Sequence, residues 1–275
     1  MPKADEGRRL RCLWIQSRPV LRTITATQYV TPLREGGSLP AIVEGDDDGT
    51  YVLKFRGAGQ GPKALIAELV SGEIARALGL PVPEIVFAEL DPRMAMTEPD
   101  PEIQELLQRS AGLNLALDYL PGSITFDPLV ERHLAGIAAL ASRIVWFDAL
   151  VTNVDRTARN TNLLVWHRAV WMIDHGASLY FHHNWDDDVL ARSRGAFPQI
   201  KDHVLLAQAA ELRDVDAELT AKLTPDALEA IVSFIPDSWL DHAEHRAAYQ
   251  EWLLRRLEAP REWVEEAIRA RSLLI

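Results

Sequence analysis

The stretch NVDRTARNTN at residues 153–162, followed by WMIDHG at residues 171–176, decides how this chain is interpreted. Asp155 is followed five positions later by Asn160, and a short predicted hairpin then brings Asp174 beside a glycine. A carboxylate can take the proton of an attacking hydroxyl, and an Asn with a second carboxylate can hold a divalent metal. Together the three residues indicate one acidic catalytic site.

Asp174 is the residue that separates this interpretation from an ordinary polar turn. Asp and Asn favour turns, so Asp155 and Asn160 alone would suit a loop without chemistry. Asp174, however, ends the apolar run VWMI at residues 170–173, where a carboxylate is costly unless it is paired or bound to metal. Mg²⁺ would meet that need together with Asn160 and the phosphates of ATP. The set predicts an ATP- and Mg²⁺-dependent phosphotransferase.

A lysine in an apolar strand is the expected phosphate anchor. Lys54 lies in YVLKF at residues 51–55, where alternation puts it on the same face as Val52. In a kinase such a Lys contacts the α- and β-phosphates and is fixed by a helix carboxylate. Glu68 and Glu73 on the next predicted helix are the candidates, and Glu68 is preferred because it lies one turn into the helix. The alternative is a strand-edge Lys in water.

Two glycine-rich loops are candidates for covering the phosphates. The first contains Gly36, Gly37 and Ser38, and the second is GAGQG at residues 57–61. Exposed backbone N–H groups of either loop can cradle phosphate. Chain order favours the first, because it links two predicted strands before the strand of Lys54. The second loop could equally be a plain connection from strand to helix.

Other polar residues near the motif each have two interpretations. Arg156 and Arg159 would place positive charge beside the γ-phosphate, or they would be surface charges. His175 is expected to bond to the backbone or to support a ligand, rather than to bind zinc. A downstream polar cluster is expected to be a solvated, substrate-facing loop more than a metal site. It consists of His182, His183, Asp186, Asp187 and Asp188.

The order of the predicted elements favours an α+β, protein-kinase-like fold with two lobes. Residues 23–120 are predicted to form a small, β-rich, ATP-binding N-lobe with one helix, at residues 64–78. The Pro-Gly pair at residues 121–122 stops the last of these strands and marks the boundary between the lobes.

The chain beyond this boundary is predicted to be mainly helical. Residues 121–275 would form a larger α-helical C-lobe that contains the catalytic loop and the C-terminal helices. One long helix is predicted at residues 130–150, and two strands are predicted at residues 162–166 and 170–173. Residues 1–22 are expected to be a frayed or disordered N-terminal extension.

The bulk composition limits the classes of partner. A net charge of −11 argues against a nucleic-acid binder, because such proteins usually carry a basic face. No run reaches the ~18 consecutive apolar residues of a membrane span. The single cysteine, Cys12, excludes an internal disulfide and suits the reducing cytoplasm. We therefore expect a cytoplasmic protein whose partners are ATP and a protein or small-molecule acceptor.

At these residues the chain resembles the HipA-like kinases and, more distantly, the phosphatidylinositol 3/4-kinases. The resemblance runs from Thr25 to Leu206. It rests on VLKF around Lys54, on the helix of Glu68 that ends in ALGLPVP at residues 77–83, on the spacing of Asn153, Asp155 and Asn160, and on Ile173-Asp174.

The resemblance implies a protein-kinase-like fold, the use of ATP and Mg²⁺, and phosphate transfer to a Ser or Thr hydroxyl of a protein. It implies that Asp155 is the catalytic Asp, and that Asn160 and Asp174 hold the metal. Lys54, paired with Glu68, would anchor ATP. The segment that would form the hinge and meet adenine through its backbone is Asp118, Tyr119 and Leu120.

One departure from the HipA pattern leaves the acceptor open. The catalytic loop reads Asp-Arg-Thr at residues 155–157, where HipA proteins usually have Asp-x-His, and this start is closer to the lipid kinases. The main hypothesis is transfer to a Ser or Thr hydroxyl of a protein or of the kinase itself. A kinase of a small molecule or lipid headgroup shares the same Asp-to-Asn spacing.

Two further hypotheses differ in the kind of chemistry. A non-catalytic nucleotide-binding module that signals through a partner is supported by the lack of a standard phosphate-binding glycine motif. A metal-dependent hydrolase would use Asp155, Asp174 and His175 with the downstream polar cluster, and it would release phosphate without any need for ATP.

Overall fold

The computed structural model describes residues 21–33, 39–131, 136–186 and 188–274, which form a mixed fold of helices and strands. The strands are β1 (Thr23–Pro32), β2 (Ala41–Gly45), β3 (Thr50–Lys54), β4 (Ile85–Leu90), β5 (Gly112–Asp118), β6 (Ile124–Thr125), β7 (Leu163–Trp166) and β8 (Ala169–Met172). The helices are α1 (Pro62–Ala77), α2 (Pro101–Arg109), α3 (Pro128–Glu131), α4 (Ile137–Leu150), α5 (Val189–Arg192), α6 (Leu212–Lys222), α7 (Pro225–Val232), α8 (His245–Leu257) and α9 (Glu262–Ser272).

The first five strands form a closed barrel in the order β1-β2-β3-β5-β4. Four of the pairings are antiparallel, and the barrel closes through a short parallel pairing in which Ile24 of β1 lies opposite Ala88 of β4. Alternate side chains point inward, as in Val43, Leu53 and Ala116, which are completely buried. Lys54 is the last residue of β3, so its side chain leaves the barrel where the chain turns toward α1.

Helix α1 packs against the outside of the barrel and is buried along most of its length, from Leu65 to Ala75. The carbonyl oxygen of Leu78, directly after the helix, accepts hydrogen bonds from Arg143 (2.9 Å) and Lys222 (3.3 Å). At the other end, Lys63 pairs with Asp241 across 3.1 Å. Helix α1 is therefore held at both ends by groups from the C-terminal part of the chain.

The three-stranded sheet β6-β7-β8 carries the second part of the motif. Strands β7 and β8 form a hairpin whose two loop residues, His167 and Arg168, both have positive φ (49° and 64°). This conformation is that of the primed turns that suit the twist of a hairpin. Helix α4 ends at Leu150, just before the loop of residues 153–162, and β8 ends two residues before Asp174. The hairpin and the helix together bring the two halves of the motif to one place.

The predicted strands and α1 agree with the structure to within a few residues, but two helix predictions are wrong. The first 120 residues contain α2 as well as α1, and α2 begins with Asp100 accepting a hydrogen bond from the N–H of Glu102. The single helix predicted at residues 130–150 does not form, because Gly136 adopts a left-handed conformation (φ 76°) and α4 starts after it. No helix in the described ranges is both long and apolar enough to cross a membrane.

Candidate active site

A cavity of about 290 Å³ brings together five of the predicted site residues, namely Lys54, Glu68, Asp155, Asn160 and Asp174. Its walls come from the end of β3, the following loop, the start of α1, the loop of residues 153–162 and the segment after β8. The lining residues are Lys54, Phe55, Ala58, Gly59, Gln60, Ala64, Leu65, Glu68, Asp155, Asn160, Asp174, Gly176 and Ala177. A larger open groove of about 750 Å³ beside α5 and α8 contains none of the predicted residues.

Lys54 lies at the centre of the charges in this cavity. Its Nζ lies 2.8 Å from Oδ1 of Asp174 and 3.5 Å from Oε2 of Glu68. Burial lowers the pKa of Lys54, but the attraction of the two carboxylates outweighs it and holds that pKa above its ordinary value. The contact with Glu68 was predicted, whereas Glu73 pairs with Arg76 instead. The lysine is therefore charged and fixed between two acids from distant parts of the chain.

Glu68 is buried and is also bonded to the residue that follows Asp174. The backbone N–H of His175 donates to Oε2 of Glu68 (2.9 Å), and Nδ1 of the imidazole lies 3.4 Å from Oε1. Burial raises the pKa of Glu68, but Lys54 and His175 outweigh it and lower that pKa to about 2. His175 thus contacts Glu68 through both its backbone and its ring. The carboxylate thus links α1 to the segment after β8.

Asp155 and Asn160 face each other across the loop of residues 153–162. Nδ2 of Asn160 donates to Oδ2 of Asp155 at 2.8 Å, which leaves Oδ1 of Asn160 without a donor among the described residues. The backbone N–H of Asp155 donates to Oδ1 of Asn153 at 3.0 Å. The loop therefore presents a carboxylate and an amide oxygen to the cavity.

Asp174 has a backbone conformation that few residues adopt. Its φ of 54° lies in the left-handed region, which Asp tolerates better than most residues with a side chain. Strained conformations of this kind cluster at functional sites, where the surrounding structure maintains them. The paired part of the hairpin ends at Met172, and Asp174 comes two residues later. The turn at Asp174 directs its carboxylate toward Lys54 and into the cavity.

The structure corrects both expectations for Arg156, which was predicted to lie either beside the γ-phosphate or on the surface. Its side chain is buried and does not line the cavity. It is only 1% exposed, and its Nε donates to Oδ2 of Asp148 at 2.6 Å. Asp148, on α4, also accepts from Nδ2 of Asn153 (2.9 Å) and from Nε2 of His203 (2.9 Å). Burial raises the pKa of Asp148, but Arg156 and His203 outweigh it and hold that pKa well below its usual range. The arginine supports the loop from beneath.

The hydrogen bonds of the His203 imidazole in this network show that the ring is neutral. The backbone N–H of Leu205 donates to Nδ1 of His203 at 3.0 Å, so the ring proton lies on Nε2 and is donated to Asp148. Burial lowers the pKa of His203, which agrees with the neutral form. This network beneath the loop of residues 153–162 therefore contains one arginine cation and one carboxylate anion.

Comparison with known proteins assigns the family. A family model described as HipA-like kinase matches residues 27–265. The chain belongs to the HipA-like kinase family. It is a kinase, and membership of this family implies that it uses ATP.

Two solved structures that the chain matches are kinases. The Helicobacter pylori proinflammatory kinase CtkA has 14% identity, with 93% of this chain and 100% of that chain covered and a TM-score of 0.56. The Golgi casein kinase with Mn/ADP bound has 12% identity, with 91% and 73% covered and a TM-score of 0.49. At these identities the first likeness concerns the fold alone. No curated protein matches the chain.

The second glycine-rich loop, which joins β3 to α1, lines the cavity of this HipA-like kinase. Ala58, Gly59 and Gln60 contribute to the wall. The N–H groups of Gly59 and Gln60 have no acceptor in the described part of the chain, so they are available to a ligand. Gly36, Gly37 and Ser38, which the sequence favoured for covering the phosphates, lie outside the described residues. Chain order gave too little weight to the loop between β3 and α1 as a candidate for binding phosphate.

The predicted hinge residues of the kinase do not line this cavity. The N–H groups of Asp118 and Tyr119 donate to the carbonyl oxygens of Glu84 (2.9 Å) and Thr50 (3.0 Å). An adenine ring cannot use these two donors. The carbonyl group of Asp118 and the N–H group of Leu120 have no partner within the described ranges, and they are two residues apart, so both lie on the same side of an extended chain.

The downstream polar cluster differs from the solvated loop that we expected. His182 is completely buried, and its Nδ1 lies 2.9 Å from the hydroxyl oxygen of Tyr249. Burial lowers the pKa of His182 to about 3, so the ring is neutral. His183 remains exposed, and Asp187 lies outside the described residues. The described residues contain no group of three or more His, Cys, Asp or Glu that could hold a metal ion.

Proposed function

We propose that this HipA-like kinase transfers the γ-phosphate of Mg²⁺-bound ATP to a Ser or Thr hydroxyl of a protein or of itself. The observation that carries the proposal is the meeting of Lys54, Glu68, Asp155, Asn160 and Asp174 in one cavity. These residues come from four separate segments, and their types and contacts suit the parts of a phosphotransfer site.

Asp155 would orient the acceptor hydroxyl and take its proton as the phosphate is transferred. Its carboxylate is held at one oxygen by Asn160, and its backbone is held by Asn153. Both contacts limit the directions in which the free oxygen can point. An oriented carboxylate of this kind is what the attacking hydroxyl requires.

Asn160 and Asp174 would hold Mg²⁺, and their donor atoms fit that role. Oδ1 of Asn160 has no donor among the described residues, and Asp174 keeps one oxygen free beside the contact with Lys54. Mg²⁺ usually takes only one or two protein oxygens in nucleotide sites and completes its shell with phosphate oxygens and water. Bound there, it would neutralise charge on the phosphates during transfer.

Lys54 and the loop after β3 would bind the phosphates of ATP. The lysine is charged, held by Glu68 and close to Asp174. The free N–H groups of Gly59 and Gln60 would supply backbone donors, as phosphate-binding loops do. Adenine would lie against the Asp118–Leu120 segment, where one carbonyl group and one N–H group are unpaired in the described chain.

The proposal includes the two-lobed arrangement with a boundary near residue 121. The barrel and α1 would form the ATP-binding lobe, and the part from β6 onward would form the lobe that binds the acceptor. The cavity between β3, α1 and the catalytic loop supports this division, since its walls come from both parts. A cytoplasmic location completes the proposal and is supported by the single cysteine.

Calorimetric titration of ATP with and without Mg²⁺ tests the site in the wild type, Asp174→Asn and Asp155→Ala. We expect the Mg²⁺-dependent part of ATP binding to disappear in Asp174→Asn, because the metal loses its carboxylate ligand. We expect Asp155→Ala to bind Mg²⁺-ATP normally but to transfer phosphate at least about 100-fold more slowly, since it lacks the proton acceptor. Undiminished transfer in Asp155→Ala would remove the assignment of that residue.

Labelled ATP then identifies the acceptor. Incubation with candidate proteins and with small alcohols, followed by phosphoamino-acid analysis, separates the acceptor classes. Phosphoserine or phosphothreonine on a protein is the expected product. Label that accumulates only on a small alcohol or lipid headgroup would contradict the protein acceptor while leaving the kinase site intact.

A further inference from the structure

The Arg156 side chain contacts the backbone beside both proposed metal ligands. Its Nη1 donates to the carbonyl oxygens of Asn162 and Ile173, the latter at 3.3 Å. Asn162 lies two residues after Asn160, and Ile173 is the residue before Asp174. Arg156 itself is the residue after Asp155. One buried guanidinium group therefore contacts the backbone two residues after Asn160 and one residue before Asp174, and it belongs to the residue that follows Asp155.

The other side of the same guanidinium group is anchored in the helix that precedes the loop. Nε donates to Asp148 on α4, which is itself held by His203 and Asn153. The Asn162 carbonyl oxygen also accepts from the N–H of Ile173 at 3.1 Å, so it receives two donors. This arrangement fixes the start of the hairpin, the end of the hairpin and the catalytic loop relative to α4.

The local backbone needs such support, because two residues near these contacts have left-handed conformations. Asn162 has a φ of 47° and Asp174 a φ of 54°. Conformations of this kind persist only where the surroundings determine them. The carbonyl contacts of Arg156 fall at Asn162 itself and immediately before Asp174.

We propose that Arg156 is a positioning residue that sets the separation of the metal ligands Asn160 and Asp174 and their distance from Asp155. This inference rests on the proposed function and adds a residue to it. Arg156 would act through the backbone and would touch neither ATP nor the acceptor. A point charge such as that of Lys can pair with Asp148, but it cannot present the planar set of donors that reaches both carbonyl oxygens.

Arg156→Lys tests this role, and Arg256→Lys is the matched control. Arg256 is also buried, and its acceptors in the described part of the chain are the backbone carbonyl oxygens of Ala149, Leu150, Ser193 and Gly195. Both substitutions replace a buried guanidinium group by an ammonium group. They are compared at temperatures equally far below their own melting points, so that lost stability contributes equally to each measurement.

Calorimetry measures the Mg²⁺ concentration that half-saturates ATP binding, together with ATP binding without metal. In Arg156→Lys we expect the half-saturating Mg²⁺ concentration to rise about 10- to 100-fold, as is typical when a supporting contact of a metal ligand is lost. Metal-free ATP binding should not change, because Lys54 and the β3–α1 loop are untouched. We expect Arg256→Lys to retain the wild-type Mg²⁺ dependence.

A second variant keeps the test valid if Arg156→Lys does not fold. Arg156→Met with Asp148→Asn removes both charges of the pair, so neither is left buried and alone. The same rise in the Mg²⁺ requirement is expected. An equal change in Arg156→Lys and Arg256→Lys would show a general structural role and overturn the inference alone. A wild type without Mg²⁺-dependent ATP binding would overturn the proposed function, and the inference with it.

Discussion

One cation is paired with two carboxylates in this site. Lys54 contacts both Glu68 and Asp174. Glu68 is 1% exposed, so its ionised form is stable only because Lys54 and His175 face it. In the wild type this carboxylate contributes to the free energy of unfolding at pH values above 4.5, the ordinary pKa of Glu. That contribution is lost as the pH falls from about 4.5 to about 2. Lys54 therefore matters for stability as well as for its proposed contact with the phosphates.

Replacement of Lys54 by Met should destabilise the protein in a pH-dependent way. At pH 7 the variant leaves a buried carboxylate without its cation, which costs about 3–5 kcal/mol. As the pH is lowered toward 5 we expect the loss to shrink, because burial without Lys54 raises the pKa of Glu68 and the group takes up a proton. Urea denaturation of wild type and Lys54→Met at several pH values measures this difference.

The double variant Lys54→Met, Glu68→Gln is the control for that prediction. The neutral amide needs no cation, so the stability at pH 7 should recover partly and its loss should no longer depend on pH near 5. A loss in Lys54→Met that stays constant between pH 7 and 5 would contradict the role assigned to the buried carboxylate.

At the residue scale, the candidate site residues could be selected from the sequence, but the directions of their side chains could not. Asp155 and Asn160 could be selected by their spacing. Lys54 and Asp174 could be selected because each places a charge in or at the end of an apolar strand. Arg156 could not be placed, since a loop residue can point either way and its direction depends on Asp148 and His203. His203 lies 55 positions from Asp148, and no local pattern joins them.

The helix α1 shows how one element positions the site. It carries Glu68, and it lies close to β4 at Gly72, where a Cβ atom would come within 2.3 Å of Cδ1 of Ile85. The absence of a side chain at this position lets the helix approach the barrel. The position of Glu68 relative to Lys54 therefore depends on a glycine one turn further along the helix.

Gly72→Ala should lower the free energy of unfolding although Ala favours helix formation. The added methyl group overpacks a buried contact, which costs about 1–3 kcal/mol, and helix propensity returns about 1 kcal/mol. Displacement of α1 should also weaken ATP binding, because it moves Glu68 away from Lys54. Thermal unfolding and calorimetry measure the two effects.

Ile85→Val provides the control, because it removes the Cδ1 atom that the new methyl group would meet. We expect the double variant Gly72→Ala, Ile85→Val to bind ATP as tightly as Ile85→Val alone. Equal losses of ATP binding in Gly72→Ala and in the double variant would show that this contact does not position the helix.

Helices and strands were predictable where periodicity was strong and uninterrupted. Strand β4 and helix α1 follow from their apolar patterns. Helix α2 was missed although it begins with Asp100 and Pro101, which are start signals, because it is short and amphipathic within a region rich in strands. Gly136 ended an apparent long helix, and a lone glycine in a helical pattern does not by itself announce a left-handed turn.

At the scale of the whole molecule, the described residues form two hydrophobic cores that meet at strand β5. The side chain of Ala116 points into the core of the barrel, while Leu115 and Leu117 belong to the larger core with α1 and the C-terminal helices. Alternation along a single strand thus divides its residues between both cores. We expect the described parts of the protein to unfold together, since neither core is complete without this strand.

Trp263→Ala tests this cooperativity from the far end of the chain. Trp263 lies in α9, packs edge-on against Trp146 at 5.1 Å between ring centroids, and is completely buried. Its truncation should cost about 3–5 kcal/mol. Native-state hydrogen exchange should show the same decrease for amides of β3 in the barrel as for amides of α4. Protection of β3 that does not change would mean that the barrel unfolds independently.

The anchoring of α1 also has a consequence for small-molecule inhibitors. Compounds that require this helix to swing outward would have to break the bonds from Arg143 and Lys222 to the Leu78 carbonyl oxygen, as well as the pair of Lys63 with Asp241. They would also leave Glu68 and Lys54 apart. Such compounds should bind weakly, so a screen against this kinase is best directed at molecules that fit the cavity while the Lys54–Glu68 pair remains closed.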